Sequence, residues 1–184
     1  MVAMGEEWEK SLKKIVGLQF DVSPFGVEFL DRDSFSKFSH NLRFEVGDYR
    51  EIRITGYFSE TIREALEKIL RMKKSVRLIC PHLDVKKTRD RKNLEALEKL
   101  VDAGAEIRVN HRLHARFLVA NIPNKAGLLV VGSFDFNTEC IGKERYDAGI
   151  KTKHPDLVKS AIELFEQVWN EPESQPLEDF SKKA

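Results

Sequence analysis

The chain has 184 residues, enough for one domain with a sizeable core. Apolar residues make up 41% and charged residues 33%, with 31 Lys+Arg against 30 Asp+Glu, so a globular chain is expected and nothing global argues for a nucleic-acid partner, although a local basic face stays open. No apolar run approaches the roughly 18 residues of a membrane helix, and "MVAMGEEWEKSLKK" has acidic residues where a signal peptide has its apolar core, so no membrane role and a cytoplasmic location are expected.

Residues 6–16 place Trp8, Leu12, Ile15 and Val16 at helical spacing. From there to residue 48, Phe20, Phe25, Phe29, Phe35, Phe38 and Phe44 are scattered among Gly, Ser, Pro and Asp, which reads as short strands and turns that cover a sheet edge, build a dimer or present a partner surface. "EIRITGYF" alternates as a strand. Ser59 is placed to cap the next helix, with Ile62, Ala65, Leu66, Ile69 and Leu70 as its apolar stripe. "SVRLIC" is a second strand, "DRKNLEALEKLVDAG" a helix stopped at Gly104, and "AEIRVN" a third strand. "HARFLVAN", "GLLVVGS" and "RYDAGIKT" follow as strands, the first two joined by the turn-rich "IPNKAG". A last helix, "HPDLVKSAIELFEQVWNE", buries Leu157, Ala161, Phe165, Val168 and Trp169, and the remaining tail looks loose. Alternating strands and helices imply parallel crossovers, hence an α/β fold. The expected organisation is an N-terminal extension over 1–48, a domain over 49–171 and a tail over 172–184.

In a strand, residues two apart share a face, so His114 and Arg116 are expected to project together, with Phe117, Val119 and Asn121 on the other side. Gly132 and Ser133 end the next strand, and Ser133 shares a face with Asp135. If the strand ends are neighbours, an imidazole, a guanidinium, a hydroxyl and a carboxylate converge. That set suits an anion such as phosphate, with Arg offering a planar fork and His acting as nucleophile or acid. A plain core strand followed by a loop fits the same pattern.

"HARFLVAN…GSFDFN" resembles the motif of the phospholipase D superfamily, H-x-K-x4-D followed by G-S-x-N. "ITGYFSETIREALEKIL", "VRLICP", "LEALEKLVDAGAEIRV" and "LFEQVWNE" extend the resemblance, in the order of the single-motif nuclease members, over about residues 50–170. The resemblance implies a mixed β-sheet flanked by helices on both faces and a phosphodiesterase that needs no metal or other cofactor. It implies attack by a motif histidine on phosphorus to give a phosphohistidine, with a second motif histidine protonating the leaving oxygen, so that His114 is the nucleophile or the acid. Arg116 stands at the Lys position, Ser133 at the Ser, Asp135 at the Asn and Asn121 at the Asp. Asp147 falls near the family's downstream acid, which orients the histidine. One motif per chain implies a homodimer whose two His114 side chains meet across a two-fold axis. The implied substrate is a phosphodiester, DNA or RNA. A catalytically degenerate module with a binding or regulatory role is the alternative, since Arg is a fixed fork rather than a point charge and a carboxylate at position 135 repels phosphate. Asp135 is tolerable if it pairs with Arg116, is protonated, or leaves the amide role to Asn137.

Other residues border the expected site. "KKTRDRK" places Lys86, Lys87 and Arg89 after the second strand, where loops at strand carboxyl ends surround a site; the run either holds a nucleic-acid backbone or is a solvated helix entry. His111 and His82 are candidates for the same mouth, and His40 and His154 are expected in a loop and at a helix start. The five His and two Cys, Cys80 and Cys140, show no metal-ligand spacing, and both thiols are expected to be buried and reduced. The Lys-, Glu- and Arg-rich, Gln-poor composition leans towards a thermophile.

Overall fold

The structure, a computed structural model, describes residues 26–58, 60–81, 83–84, 86–125, 127–133 and 147–181. The helix expected over 6–16, the cap at Ser59 and Cys140 lie outside these.

Strands β2 (Glu51–Thr55), β3 (Ser75–Cys80) and β4 (Glu106–Val109) run parallel. Parallel neighbours need long crossovers, and helices α3 (Glu60–Arg71) and α4 (Thr88–Asp102) supply them. Strands β5 (Phe117–Asn121), β6 (Gly127–Gly132) and β7 (Gly149–Thr152) continue the sheet from β2 in antiparallel steps. The two outer strands are β1 (Val27–Leu30) on β7 and β8 (Gln175–Pro176) on β4. The eight strands lie in the order β1-β7-β6-β5-β2-β3-β4-β8.

Residues 26–48 read differently in three dimensions from the expected short strands and turns. After β1 they form helices α1 (Arg32–His40) and α2 (Leu42–Glu45). The cause is local: Asp31 accepts the Ser34 amide at 2.8 Å as an N-cap, and Phe35, Phe38 and Leu42 then recur at helical spacing and are buried. Lys151 on β7 ties this segment down, bonding Glu28 on β1 at 3.2 Å and Glu45 on α2 at 3.1 Å. Of the phenylalanines here, Phe44 is 73% exposed, so not all of them serve the core.

One face of the sheet is covered by α1, α2, α3 and α4, with Ile62, Leu66 and Ile69 of α3 fully buried against Ile52, Ile54, Leu78 and Leu118. Each such aliphatic side chain contributes roughly 1.5–3 kcal/mol on leaving water. The buried Cys80 belongs to this layer, and burial pushes its thiol up to about 12. The last segment also joins this layer rather than hanging loose. Leu177 of the short helix α6 (Leu177–Ser181) is 2% exposed, and β8 adds to the edge of the sheet.

The other face is covered by helix α5 (Pro155–Asn170) through Val158, Phe165 and Trp169, packed on Ile79, Phe117, Val119 and Leu129. Leu157, expected inside, is exposed, and Val158 takes the inward place instead. Beneath α5 the three parallel strands each present an arginine. Arg53 donates to Glu166 at 2.9 Å, Asn121 at 2.6 Å and Glu51 at 3.0 Å. Arg77 also bonds Glu166, at 2.9 Å through Nη1, and lies over Phe165 and Trp169; Arg108 lies over Trp169. Among the described residues no helix is long and apolar enough to cross a membrane.

Candidate active site

The strand directions gather several chain segments at one end of the sheet. The carboxyl ends of β2, β3 and β6 and the starts of β5 and β7 share that end, because Thr55 is in register with Ile79 and Phe117, Phe117 with Val131, and Gly132 with Gly149. Loops beyond strand carboxyl ends are where α/β sheets bind ligands.

His114 and Arg116 lie at this end, but not in a strand as expected, because β5 starts only at Phe117. The reason is Thr55. Its hydroxyl donates to the Ala115 carbonyl at 2.9 Å and accepts the Phe117 amide at 3.0 Å. A side chain thus occupies the place of a strand partner, and the segment before Phe117 leaves the ladder. The Arg116 carbonyl still takes a sheet-like bond, from the Gly132 amide at 3.2 Å. Gly56 follows Thr55 with a φ of +132°, a conformation that favours glycine, and carries the chain off β2.

The result is a cavity of about 290 Å³ lined by Gly56, Tyr57, Pro81, His111, His114 and Arg116, among others. The structure therefore brings His111, His114 and Arg116 to one space. His111 and His114 are exposed at its mouth and Arg116 is half-buried. Gly56 and Tyr57 were not singled out from the sequence. Their position directly after a parallel strand was the available signal.

Ser133 and Asp147 form the neighbouring corner. The Ser133 hydroxyl donates to Asp147 Oδ1 at 2.8 Å, and the Ser133 amide donates to the Ala148 carbonyl at 3.0 Å. Since the Gly132 amide reaches Arg116, this corner adjoins the cavity through the backbone. Asp135, Asn137 and His82 lie outside the described residues, as does the side chain of Arg89. Lys86 and Lys87 are exposed at the start of α4, where Asp84 accepts the Lys86 amide at 3.2 Å and lies 3.6 Å from Lys87 Nζ. Asn121 is well away from the cavity, at the far end of β5, buried on Arg53. Its amide serves the arginine network beneath α5. His40 Nδ1 bonds the Ser36 carbonyl at 2.8 Å within α1, a helix rather than the expected loop, and His154 sits at the N-cap of α5. Among the described residues no three His, Cys, Asp or Glu side chains are grouped to hold a metal ion.

Several solved structures share this fold. Nuc from Salmonella typhimurium, described as a phospholipase D family member, matches with a TM-score of 0.64 at 14% identity, over 82% of this chain and 97% of that one. NucT from Helicobacter pylori matches with a TM-score of 0.63 at 12% identity, over 83% of this chain and 99% of that one. TrmBL2, an archaeal chromatin protein whose structure is described as showing a novel mode of DNA binding, matches with a TM-score of 0.53 at 10% identity, over 94% of this chain and 62% of that one. No curated protein sequence matches the chain. The family profile described as the phospholipase D-like domain of cardiolipin synthase matches residues 49–169, well over half of the chain. That span runs from the approach to β2 through Trp169 of α5 and includes every described residue of the cavity, and the chain accordingly belongs to the phospholipase D-like family.

Proposed function

We propose that this chain is a metal-independent, nuclease-like phosphodiesterase that works through a phosphohistidine on His114, at a site shared by two subunits. The observation that carries the reading is the cavity that both His114 and Arg116 line at the end of the sheet, next to the Ser133–Asp147 corner. An imidazole there reaches a phosphorus atom from solvent, and a guanidinium beside it answers the charge that builds on the phosphoryl oxygens in the transition state. The fold shared with Nuc and NucT supports the same reading. The reaction needs two imidazoles, one to attack and one to protonate the leaving oxygen. A two-fold pairing of chains across the cavity mouths puts the second copy's His114 in the same cleft, with DNA or RNA as the substrate.

The test is hydrolysis of bis(p-nitrophenyl) phosphate and of single- and double-stranded DNA and RNA with chelator present, comparing wild type with His114→Ala, alongside the solution mass. Turnover lost in the variant and a dimeric mass are expected. A monomer removes the shared site, and turnover that survives His114→Ala removes the phosphohistidine.

A second reading is a module that binds DNA without cleaving it. The likeness to TrmBL2, which spans 94% of this chain, favours it. Salt-dependent binding of duplex DNA with no turnover in the same assays supports this second reading.

A further inference from the structure

Among the described residues, α5 covers the middle of its face of the sheet and leaves Val27 and Phe29 of β1 open. The register shows that these two belong to that face. Leu129 and Val131 of β6 pack beneath α5. Leu129 pairs with Thr152 and Val131 with Ile150, and these pair in turn with Val27 and Phe29. Paired residues present their side chains on one side of a sheet, so Ile150, Phe29 and Val27 continue the α5 layer beyond the helix. Glu28 and Lys151 alternate to the opposite face, where Lys151 bonds Glu45 of α2. On α5, Leu157 and Leu164 are seven residues apart and share one flank. Glu166, which reaches Arg53 and Arg77 of β2 and β3, lies on the other flank. The leucine flank therefore faces the open strands. Val27, Phe29, Leu157 and Leu164 are all between 37% and 43% exposed. Two strands and one helix flank thus frame an apolar patch, the kind of surface that takes a partner.

We propose that the partner is the chain's own N-terminal segment, with residues 6–16 docked on the patch as an amphipathic helix beside α5. Residues 1–25 lie outside the described residues and lead directly into Val27, at the patch itself. Within them Trp8, Leu12, Ile15 and Val16 recur at helical spacing, with Glu and Lys at the positions between. So short a helix is marginal in water by itself and needs an apolar surface to hold it. The tether is long enough. Residues 17–25 span up to about 30 Å when extended, and the two strand spacings from β1 to β6 come to only about 10 Å. Attachment at the patch gives the segment an effective concentration in the millimolar range, which favours it over a second copy of the chain. Docked there, Trp8, Leu12 and Ile15 meet Phe29 and Leu164, and the helix pins β1 from the side opposite α1 and α2.

The test is amide hydrogen exchange of the full chain, read by mass spectrometry on the peptide covering residues 9–16. In wild type these amides are expected to exchange at least roughly tenfold more slowly than in the isolated peptide. The protection should be the same at about 1 and about 100 μM protein, as for a contact within one chain. Two variants change the patch on separate elements: Val27→Ser with Phe29→Ser on β1, and Leu157→Ser with Leu164→Ser on α5. Each should bring residues 9–16 close to the rate of the isolated peptide while the amides of β2 and β3 keep their protection, which shows that the fold is intact. Phe44→Ser, at an exposed phenylalanine on the opposite face, should leave residues 9–16 protected. Exchange of residues 9–16 at the rate of the isolated peptide in wild type overturns the proposal, as does protection that survives the patch variants. Protection that appears only at the higher concentration, together with a larger solution mass, also overturns it and assigns the patch to a second copy.

Discussion

The hydroxyl of Ser133 is shared between Asp147 and the chain next to it: it donates to Asp147 Oδ1 at 2.8 Å and accepts the Ala148 amide at 3.2 Å. This latches the end of β6 to the entry of β7, beside the Gly132 amide that bonds Arg116. The bonds are exposed, so Ser133→Ala should cost only about 0.5–1.5 kcal/mol of stability. Turnover should fall much more than stability if the corner positions the site. In a double-mutant cycle, Ser133→Ala combined with Asp147→Asn should be no slower than the worse single variant, as expected for two partners in one bond. Losses in kcat that multiply would show independent roles.

Arg53 holds three partners at once, Glu166, Asn121 and Glu51, and is 6% exposed. Arg53→Met strips them all and should destabilise the protein by about 3–5 kcal/mol, read from urea unfolding. Asn121→Asp has a different effect although it writes the family's own motif residue into the strand. The Asn121 amide donates to Glu51 Oε2 at 3.3 Å, and a carboxylate in its place would face another carboxylate. A loss of about 1–3 kcal/mol is expected, and the further change Glu51→Gln should recover part of it. In this chain Glu51 supplies the negative charge beside Arg53 that an aspartate at position 121 would otherwise bring.

Glu166 sets an acid-dependent part of stability. Burial pushes its carboxyl up, but hydrogen bonds from Arg77 and Arg53 and the charges of both outweigh burial and hold it below its ordinary 4.5. A group whose acidity is strengthened by folding stabilises the protein above its unfolded value and loses that contribution as pH falls through its folded value. Unfolding midpoints measured downward from neutral pH should therefore fall more steeply below about pH 4.5 in wild type than in Glu166→Gln. Parallel curves would separate Glu166 from the acid response.

Gly127 begins β6 where Val158 of α5 packs against it. A Cβ there would lie 2.5 Å from Val158 Cγ1 and 2.9 Å from the Ala120 carbonyl oxygen. Neither neighbour is the tip of a long side chain that swings away. Gly127→Ala should cost about 1–3 kcal/mol in thermal or urea unfolding, while an added methyl at Gly26 or Gly104, where nothing lies within 4 Å, meets only the cost of a positive φ.

The parts of this fold that were legible in the sequence are those where one periodicity decides. Ile62, Leu66 and Ile69 mark α3 by their spacing, and "SVRLIC" matches β3 to the residue. "HARFLVAN" misled because its pairing is broken by a hydroxyl sixty residues away, on Thr55, which no local pattern reports. Leu157 and Val158 are adjacent and equally apolar, so only the packing on Leu129 and Phe165 decides which turns inward. The tail looked loose because Leu177 and Phe180 are sparse, yet they complete a core built by earlier elements. The arginine row left a trace that composition hides: "IRI", "VRL" and "IRV" place an arginine between aliphatic residues in each of three parallel strands. The site was legible as residue types, but that His111 lines the same cavity as His114 depends on a turn held by Asn110 and Ser174.

The pairing of β1 with β7 joins two segments far apart in the sequence, with Val27 opposite Thr152 and the Thr152 hydroxyl donating to the Gly26 carbonyl at 3.0 Å. By contrast β2, β3 and β4 follow one another in the sequence, with a single crossover helix between each pair. Closing the longer loop costs more chain entropy, and distant contacts slow folding. During synthesis β1 has no strand to join until residue 152 has emerged, by which time β2, β3 and β4 have all emerged. On chain entropy alone, the first strand of the sheet is expected to be placed late, with assembly running outward from β2 and β3 rather than along the sequence.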